Sequence, residues 1–207
     1  MITIILIRHG QIPGNITRAY AGCRTDQLLT EKGVRQSAEL RLPAVDRVLV
    51  SPMTRCRQTA EIAFPGMAHE VVEDLREMDF GIFEGKSAAE MEDCAEYRAW
   101  VDSRCENKIP GGESNGEFAG RVMRAFEEAL ARCADGERIA LVVHGGTIMS
   151  IMGAYNDEGR HAFEYNLGNC EYYVCECELP AAGEAPVLHR IGGIEPRGHY
   201  PSEPDGE

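Results

Sequence analysis

The chain opens on an apolar run, Ile2 to Ile7, with almost no polar alternation, and the run stops at Arg8, His9 and Gly10. Runs of the same kind recur at residues 45–51 (VDRVLVS) and 138–144 (RIALVVH), with HEVVEDL at 69–75 as a weaker one. Two late stretches, EYYVCECEL and VLHRIGGI, also read as strands. Continuous apolar runs suit strands buried on both faces, as in a parallel sheet covered by helices. Helical patterns lie between them. Thr30 is placed to cap a helix over about 31–42, and Ser51 with Pro52 reads as an N-cap followed by proline at the first helical position, opening a helix to Ala63. Residues 87–104 are polar and helical in pattern, with Met91, Tyr97, Trp100 and Val101 as apolar contacts. Ser114 and Glu117 have capping-box spacing, and Phe118, Val122, Phe126, Leu130 and Cys133 then share one helical face up to about Ala134. Residues 10–29 read as a glycine-rich loop. Strands alternating with helices predict an α/β fold, three-layered, with a mostly parallel sheet and helices on both faces. One domain over 1–207 is expected, with a lid-like insertion at about 85–115 and a mobile acidic tail at about 195–207.

Composition narrows the function. Of 207 residues, 43% are hydrophobic and 27% charged, an ordinary balance for a folded chain. No stretch approaches the ~20 apolar residues of a membrane span, and the start has no basic leader segment, so a soluble cytoplasmic protein is expected. The formal net charge of -13 speaks against a nucleic-acid partner or an anionic lipid surface, but leaves room for a locally positive pocket and a small phosphorylated substrate. The eight cysteines form no C-x-x-C pair and no zinc spacing, so reduced thiols acting as small apolar residues are expected, with no metal and no cofactor. No long exposed apolar helix declares a subunit interface.

Two strands end alike. TIILIRHG and ALVVHGG each run from an apolar strand into a histidine and a glycine, at His9 and His144. Parallel strands end at one sheet edge, where ligands bind, so the two rings meet if the strands are neighbours. Arg8 adjoins His9, and Arg55 lies in the first turns of the helix after the second strand, where free N–H groups favour an anion. Arg57 points to a different face and reads as a surface residue. These types fit phosphoryl transfer to a histidine: a neutral imidazole as nucleophile, guanidinium groups matched to phosphoryl oxygens, and a second, protonated histidine stabilising developing charge. A carboxyl group is then needed to protonate the leaving oxygen and later activate water. Glu77 in LREMDFGIFEG is the first choice, with Glu84 and Asp79 as rivals.

At this point the chain resembles the histidine phosphatase superfamily, in its phosphoglycerate mutase-like branch. RHG at 8–10 is similar to the family's nucleophile motif, which implies His9 as the phosphohistidine residue. SPMTRCRQTA resembles the segment of the second arginine, implying Arg55; LREMDFGIFEG resembles the general-acid segment, implying Glu77; VVHGG resembles the second-histidine motif, implying His144. YAGCRTDQLLTEKG resembles the loop and helix start that follow the nucleophile, and Asn15 matches a phosphate-contacting asparagine. Gly10 and Gly145, which follow the two histidines, join Asn15 as candidates for phosphate binding, and Arg24 is a candidate for a second anionic group of the substrate. LREMDFG with PGGES is most similar to the α-ribazole phosphatases. Ile12, Gln11 and Phe83 depart from residues common in the family, which bears on substrate and rate more than on reaction class.

Each residue also has a plainer reading. His9 alone is a strand-end histidine, Asn15 a turn residue, Arg24 a solvated loop cation, and PGGES a turn with a helix cap. His69, His161, His189 and His199 lack a matched motif and read as structural or surface residues. Three functions follow: a metal-independent phosphomonoesterase working through phospho-His9 on a small phosphate ester, a cofactor-dependent phosphoglycerate mutase, or a non-catalytic module that binds a phosphorylated ligand.

Overall fold

In the computed structural model, which describes residues 1–179 and 184–196, the first apolar run forms strand β1 (Ile2–Arg8). The other runs form β2 (Arg47–Val50), β3 (His69–Val71), β4 (Arg138–Val143), β5 (Tyr172–Cys177) and β6 (Leu188–Gly193). They make one six-stranded sheet in the order β3-β2-β4-β1-β5-β6. The first four in that order are mutually parallel, while β5 and β6 pair antiparallel at the far edge.

The absence of polar alternation in the central strands has a direct cause. Ile2, Ile4 and Leu6 of β1, Leu49 of β2, and Ile139, Leu141 and Val143 of β4 enter one core. Ile5 and Ile7, Val48 and Val50, and Ala140 and Val142 enter the other. Every second residue thus meets a different layer, and both layers are apolar. The first core is roofed by α5 (Asn115–Leu130) and α6 (Gly145–Tyr155), the second by α3 (Thr54–Ala63), against which α2 (Glu31–Glu39) packs. Helices therefore lie on both faces of the sheet. Cys175 and Cys177 both face the first core, and all eight thiols are free.

Caps read from sequence hold at α2, where Thr30 Oγ1 accepts from Gly33 N–H, and at α5, where Ser114 and Glu117 complete the capping box. Elsewhere local signals are overruled. Ser51 is not the N-cap of α3; that helix begins at Thr54 with Met53 at its N-cap, and Ser51 Oγ accepts from Met53 N–H at 3.4 Å and meets His144 Nε2 at 2.7 Å. The 10–29 stretch holds a short helix, α1 (Pro13–Thr17). The run at 69–75 stays extended only to Val71 and then turns as a 3-10 helix at Glu73–Leu75. Residues 87–104 divide into a 3-10 turn at Ala89–Met91 and α4 (Ala95–Asp102), with Met91 and Trp100 buried and Val101 exposed. Among the described residues no helix is long and apolar enough to cross a membrane. Beyond Pro196, the expected acidic tail lies outside the described residues.

Candidate active site

Three adjacent parallel strands, β2, β4 and β1, run out at the same edge, and the residues that follow them are Ser51, His144 and His9. Arg8 pairs with Val143 in register, and His9 N–H donates to Val143 O at 3.0 Å, so the two histidines leave the sheet side by side. Their ring centroids are 5.3 Å apart, edge to face at 65°. The two strands read as ending alike are neighbours.

Hydrogen bonds fix how each ring holds its proton. His9 Nδ1 lies 2.8 Å from Gly10 O, and a carbonyl only accepts, so Nδ1 carries the hydrogen and Nε2 the lone pair. Arg55 Nε–H donates to His144 Nδ1 at 3.2 Å, and a guanidinium only donates, so His144 keeps its hydrogen on Nε2, which donates to Ser51 Oγ at 2.7 Å. Burial is the main force holding both rings well below the ordinary imidazole value, and the cations Arg55 and Arg8 add to it at each. The second histidine is therefore neutral here, against the expectation of a protonated one.

Both histidines are almost fully buried. In the unfolded chain each takes a proton near pH 6.5, while in the fold it stays neutral to lower pH. Stability from this pair is therefore complete above that value and falls as pH drops, by at most about 1.4 kcal/mol per pH unit per ring while only the unfolded state is protonated. Melting followed between about pH 7.5 and 5.5 should show a steeper fall for the native chain than for one carrying His9→Asn and His144→Asn. Equal slopes would mean that the rings are solvated.

Arg55 is wholly buried and acts as a hub. Four of its N–H groups have protein partners: His144 Nδ1, Thr25 O at 2.8 Å, Ala21 O at 3.2 Å and Gly22 O at 3.1 Å. Of the five that a guanidinium carries, one is left. Its neighbour Arg57 is exposed, as the helical spacing indicates. Arg8, at the end of β1, donates to Leu167 O, and its guanidinium runs past the start of α6, 3.6 Å from where a Cβ on Gly145 would sit.

Glu77 reaches the same helix start. Its Oε2 accepts from Gly146 N–H at 3.3 Å and its Oε1 from Met78 N–H at 3.0 Å. A Cβ at Gly146 would lie 2.5 Å from Glu77 Oε1, so this seat needs glycine. Desolvation pushes the carboxyl above its ordinary value, against the pull of those two N–H groups and of Arg55 and Arg8. The rivals have other work. Glu84 accepts from Gly22 and Arg24 N–H and from Thr25 Oγ1, tying down the 22–25 loop. Asp79 accepts from Gly81 N–H and pairs with Arg24 at 2.8 Å. Cys23, Asp79 and Glu84 lie together, but donors already meet their carboxylates, which suits a loop anchor and not a cation site.

The remaining candidates are placed as follows. Asn15 Oδ1 accepts from Ile12 N–H and from Asn169 Nδ2, which also donates to His9 O at 3.0 Å. Gly10 gives its N–H to Thr59 Oγ1 at 2.9 Å, and a Cβ there would lie 2.7 Å from Gly33 O, so close packing is the need the structure shows for it. Arg24 is held by Asp79 and Gly111 O, away from the histidine pair's own contacts. Of the other histidines, His69 lies in β3, His161 caps the 162–165 turn, His189 pairs with Asp157, and His199 lies outside the described residues. Sequence reasoning missed Ser51, Thr59 and Asn169 as partners of the histidine segments. Only Ser51 left a signal, a polar residue closing a buried apolar run.

A model of the histidine phosphatase superfamily (branch 1) matches residues 4–183. A probable phosphoglycerate mutase GpmB of Proteus mirabilis is 33% identical over 155 residues, covering 70% of each chain. The structure of a putative alpha-ribazole-5'-P phosphatase from Escherichia coli superposes with a TM-score of 0.79 at 23% identity, over 96% of this chain and 99% of that one. The alpha-ribazole phosphatase from Shigella flexneri gives 0.77 at 23% identity, over 91% and 95%. At that identity the two structures speak for a shared fold.

Proposed function

The chain belongs to the histidine phosphatase superfamily, and on that premise we propose that it is a phosphomonoesterase that hydrolyses a small phosphorylated metabolite through a phosphohistidine at His9, without a metal. The observation that carries this reading is the His9 ring: Nδ1 is committed to Gly10 O, Nε2 is left with its lone pair, and the ring stays neutral beside His144.

In this reading His9 Nε2 attacks phosphorus, an N–P bond forms, and the bond to the ester oxygen breaks. Glu77, protonated to higher pH than a free carboxyl, gives its proton to the leaving oxygen. The resulting carboxylate then takes a proton from water, whose oxygen attacks the phosphoryl group and releases His9. Arg8 and the remaining N–H of Arg55 meet the phosphoryl oxygens, together with the Gly145 N–H at the start of α6. His144, held by Arg55 and Ser51, packs the ring of His9 into line. Asn15 orders the nucleophile loop through Asn169.

The leaving group is read by the 85–115 segment and the 20–29 loop. They are joined by a cluster of rings, Tyr20, Phe80, Phe83, Tyr97 and Trp100, with Tyr20 and Tyr97 hydroxyls 3.0 Å apart. Likeness to the Escherichia coli and Shigella flexneri structures supports α-ribazole 5'-phosphate as the first substrate to try. A phosphoglycerate mutase is the second reading, favoured by the name of the Proteus mirabilis relative. A panel of α-ribazole 5'-phosphate, sugar phosphates and phosphoglycerates, assayed with excess chelator, separates them. Free phosphate from at least one ester, undiminished by chelator, is the expected result. Isomerised phosphoglycerate without phosphate release would make the chain a mutase, and loss of activity in chelator would sink the metal-free mechanism.

A further inference from the structure

The PGGES turn and the helix after it do more than cap. Arg121 lies on the buried stripe of α5 beside Phe118 and Val122 and is only 5% exposed. Nε donates to Glu113 Oε1 at 2.7 Å and Nη2 to Glu113 Oε2 at 2.8 Å, a two-pronged ion pair. Nη1 donates to Asp74 O and to Arg76 O, each at 2.8 Å, and Nη2 also donates to Glu77 O at 3.0 Å. All five N–H groups of the guanidinium are thus spent inside the protein, so Arg121 has none left for a substrate.

Glu113 completes the frame. Its Oε2 accepts from Asp79 N–H and its own N–H donates to Asp79 O, both at 2.9 Å. The turn lies so close that a Cβ on Gly112 would come within 2.3 Å of Asp79 O, which is why glycine stands there. The guanidinium also lies 4.9 Å from the ring of Phe118, the residue that backs Gly146 where Glu77 is seated. The backbone on both sides of Glu77 is therefore clamped by one buried cation and one carboxylate.

A buried ion pair adds little net stability over apolar packing of the same volume, but it fixes geometry. We propose that Arg121 and Glu113 are positioning residues for Glu77, holding the 74–79 backbone so that its carboxyl meets the leaving oxygen. This rests on the reading of Glu77 as the proton donor. The clamp then matters only where the leaving group needs a proton, which a purely structural role does not distinguish.

The test compares kcat/KM on an alkyl phosphate, whose alkoxide leaves only with a proton, and on 2,4-dinitrophenyl phosphate, whose phenolate leaves without one. Glu77→Gln is expected to lose about 10²–10⁴-fold on the first and little on the second. Arg121→Lys keeps the charge and loses the fork; Glu113→Gln keeps the shape and loses the charge. Each should lose about 10²-fold on the alkyl ester and less than about threefold on the aryl ester, the loss expected of a misplaced catalytic group. Equal losses on both substrates in the clamp variants, or no loss on either, with Glu77→Gln still selective, would overturn the clamp. Equal losses in Glu77→Gln would instead overturn the role of Glu77. Should Arg121→Lys not accumulate as folded protein, Glu113→Gln alone decides.

Discussion

His9→Ala is expected to abolish turnover of every phosphate ester the native chain hydrolyses, by at least about 10⁴-fold, or about 5 kcal/mol of barrier. The size follows from what is removed. In the proposed reaction the arginines, the helix N–H and Glu77 all serve a transfer to this one nitrogen, and none of them supplies a replacement nucleophile. Water held in the vacated space would have to attack without the pre-oriented lone pair that Gly10 O secures by holding the Nδ1 hydrogen. The loss should fall alike on alkyl and aryl esters, unlike the loss in Glu77→Gln, because both need the N–P bond.

A second readout makes the result specific. Native protein quenched in denaturant during turnover should carry one phosphoryl group, labile to acid, and His9→Ala should carry none. The fold should survive, since the ring makes one side-chain hydrogen bond, to Gly10 O, and losing it costs about 1–3 kcal/mol. A folded His9→Ala chain that keeps native activity, or a phosphoenzyme in that variant, would end the proposal.

The candidate site was legible in the sequence where polar residues sit at the end of a buried strand. Arg8, His9 and His144 interrupt apolar runs at the one place where a parallel sheet exposes its edge, so pattern and residue type point the same way. The register of β1 against β4 then supplied the one thing spacing lacks, that the two strands are neighbours. Partners fixed only by long-range packing left little trace. Asn169 lies 160 positions from the His9 carbonyl it holds, in a loop with no periodicity. Arg121 did leave a mark, a cation on an apolar helical stripe, yet its partner Glu113 belongs to a turn whose glycine and cap signals have a local explanation of their own. Ser51 shows the reverse case: a local cap signal with proline after it sits two residues ahead of the actual N-cap, and its hydroxyl also meets a buried imidazole. The direction in which the His144 ring is shifted was out of reach for the same reason, since burial first and then the Arg55 cation push it down.

Arg55→Ala carries the other large expected effect, and it combines two losses that are usually separate. The guanidinium is itself wholly buried and holds His144 Nδ1 and three carbonyls of the 21–25 loop. Each buried acceptor left without a donor costs about 1–3 kcal/mol. Water entering the vacated space relieves part of this, which leaves a loss of about 3 kcal/mol and a fall in melting temperature of about 6–12 °C for a chain of this size. Activity should fall by about 10³-fold, as when a preorganised donor at the transition state is lost, because the anion contact and the orientation of His144 go together. Arg55→Lys should recover some stability and almost no activity, since an ammonium cannot fork between a ring nitrogen and a loop. Melting and kcat/KM measured on both variants separate the two effects. Unchanged melting with lost activity would make Arg55 a phosphate ligand only, and lost stability with near-native kcat/KM in the folded fraction would make it a strut with no share in the chemistry.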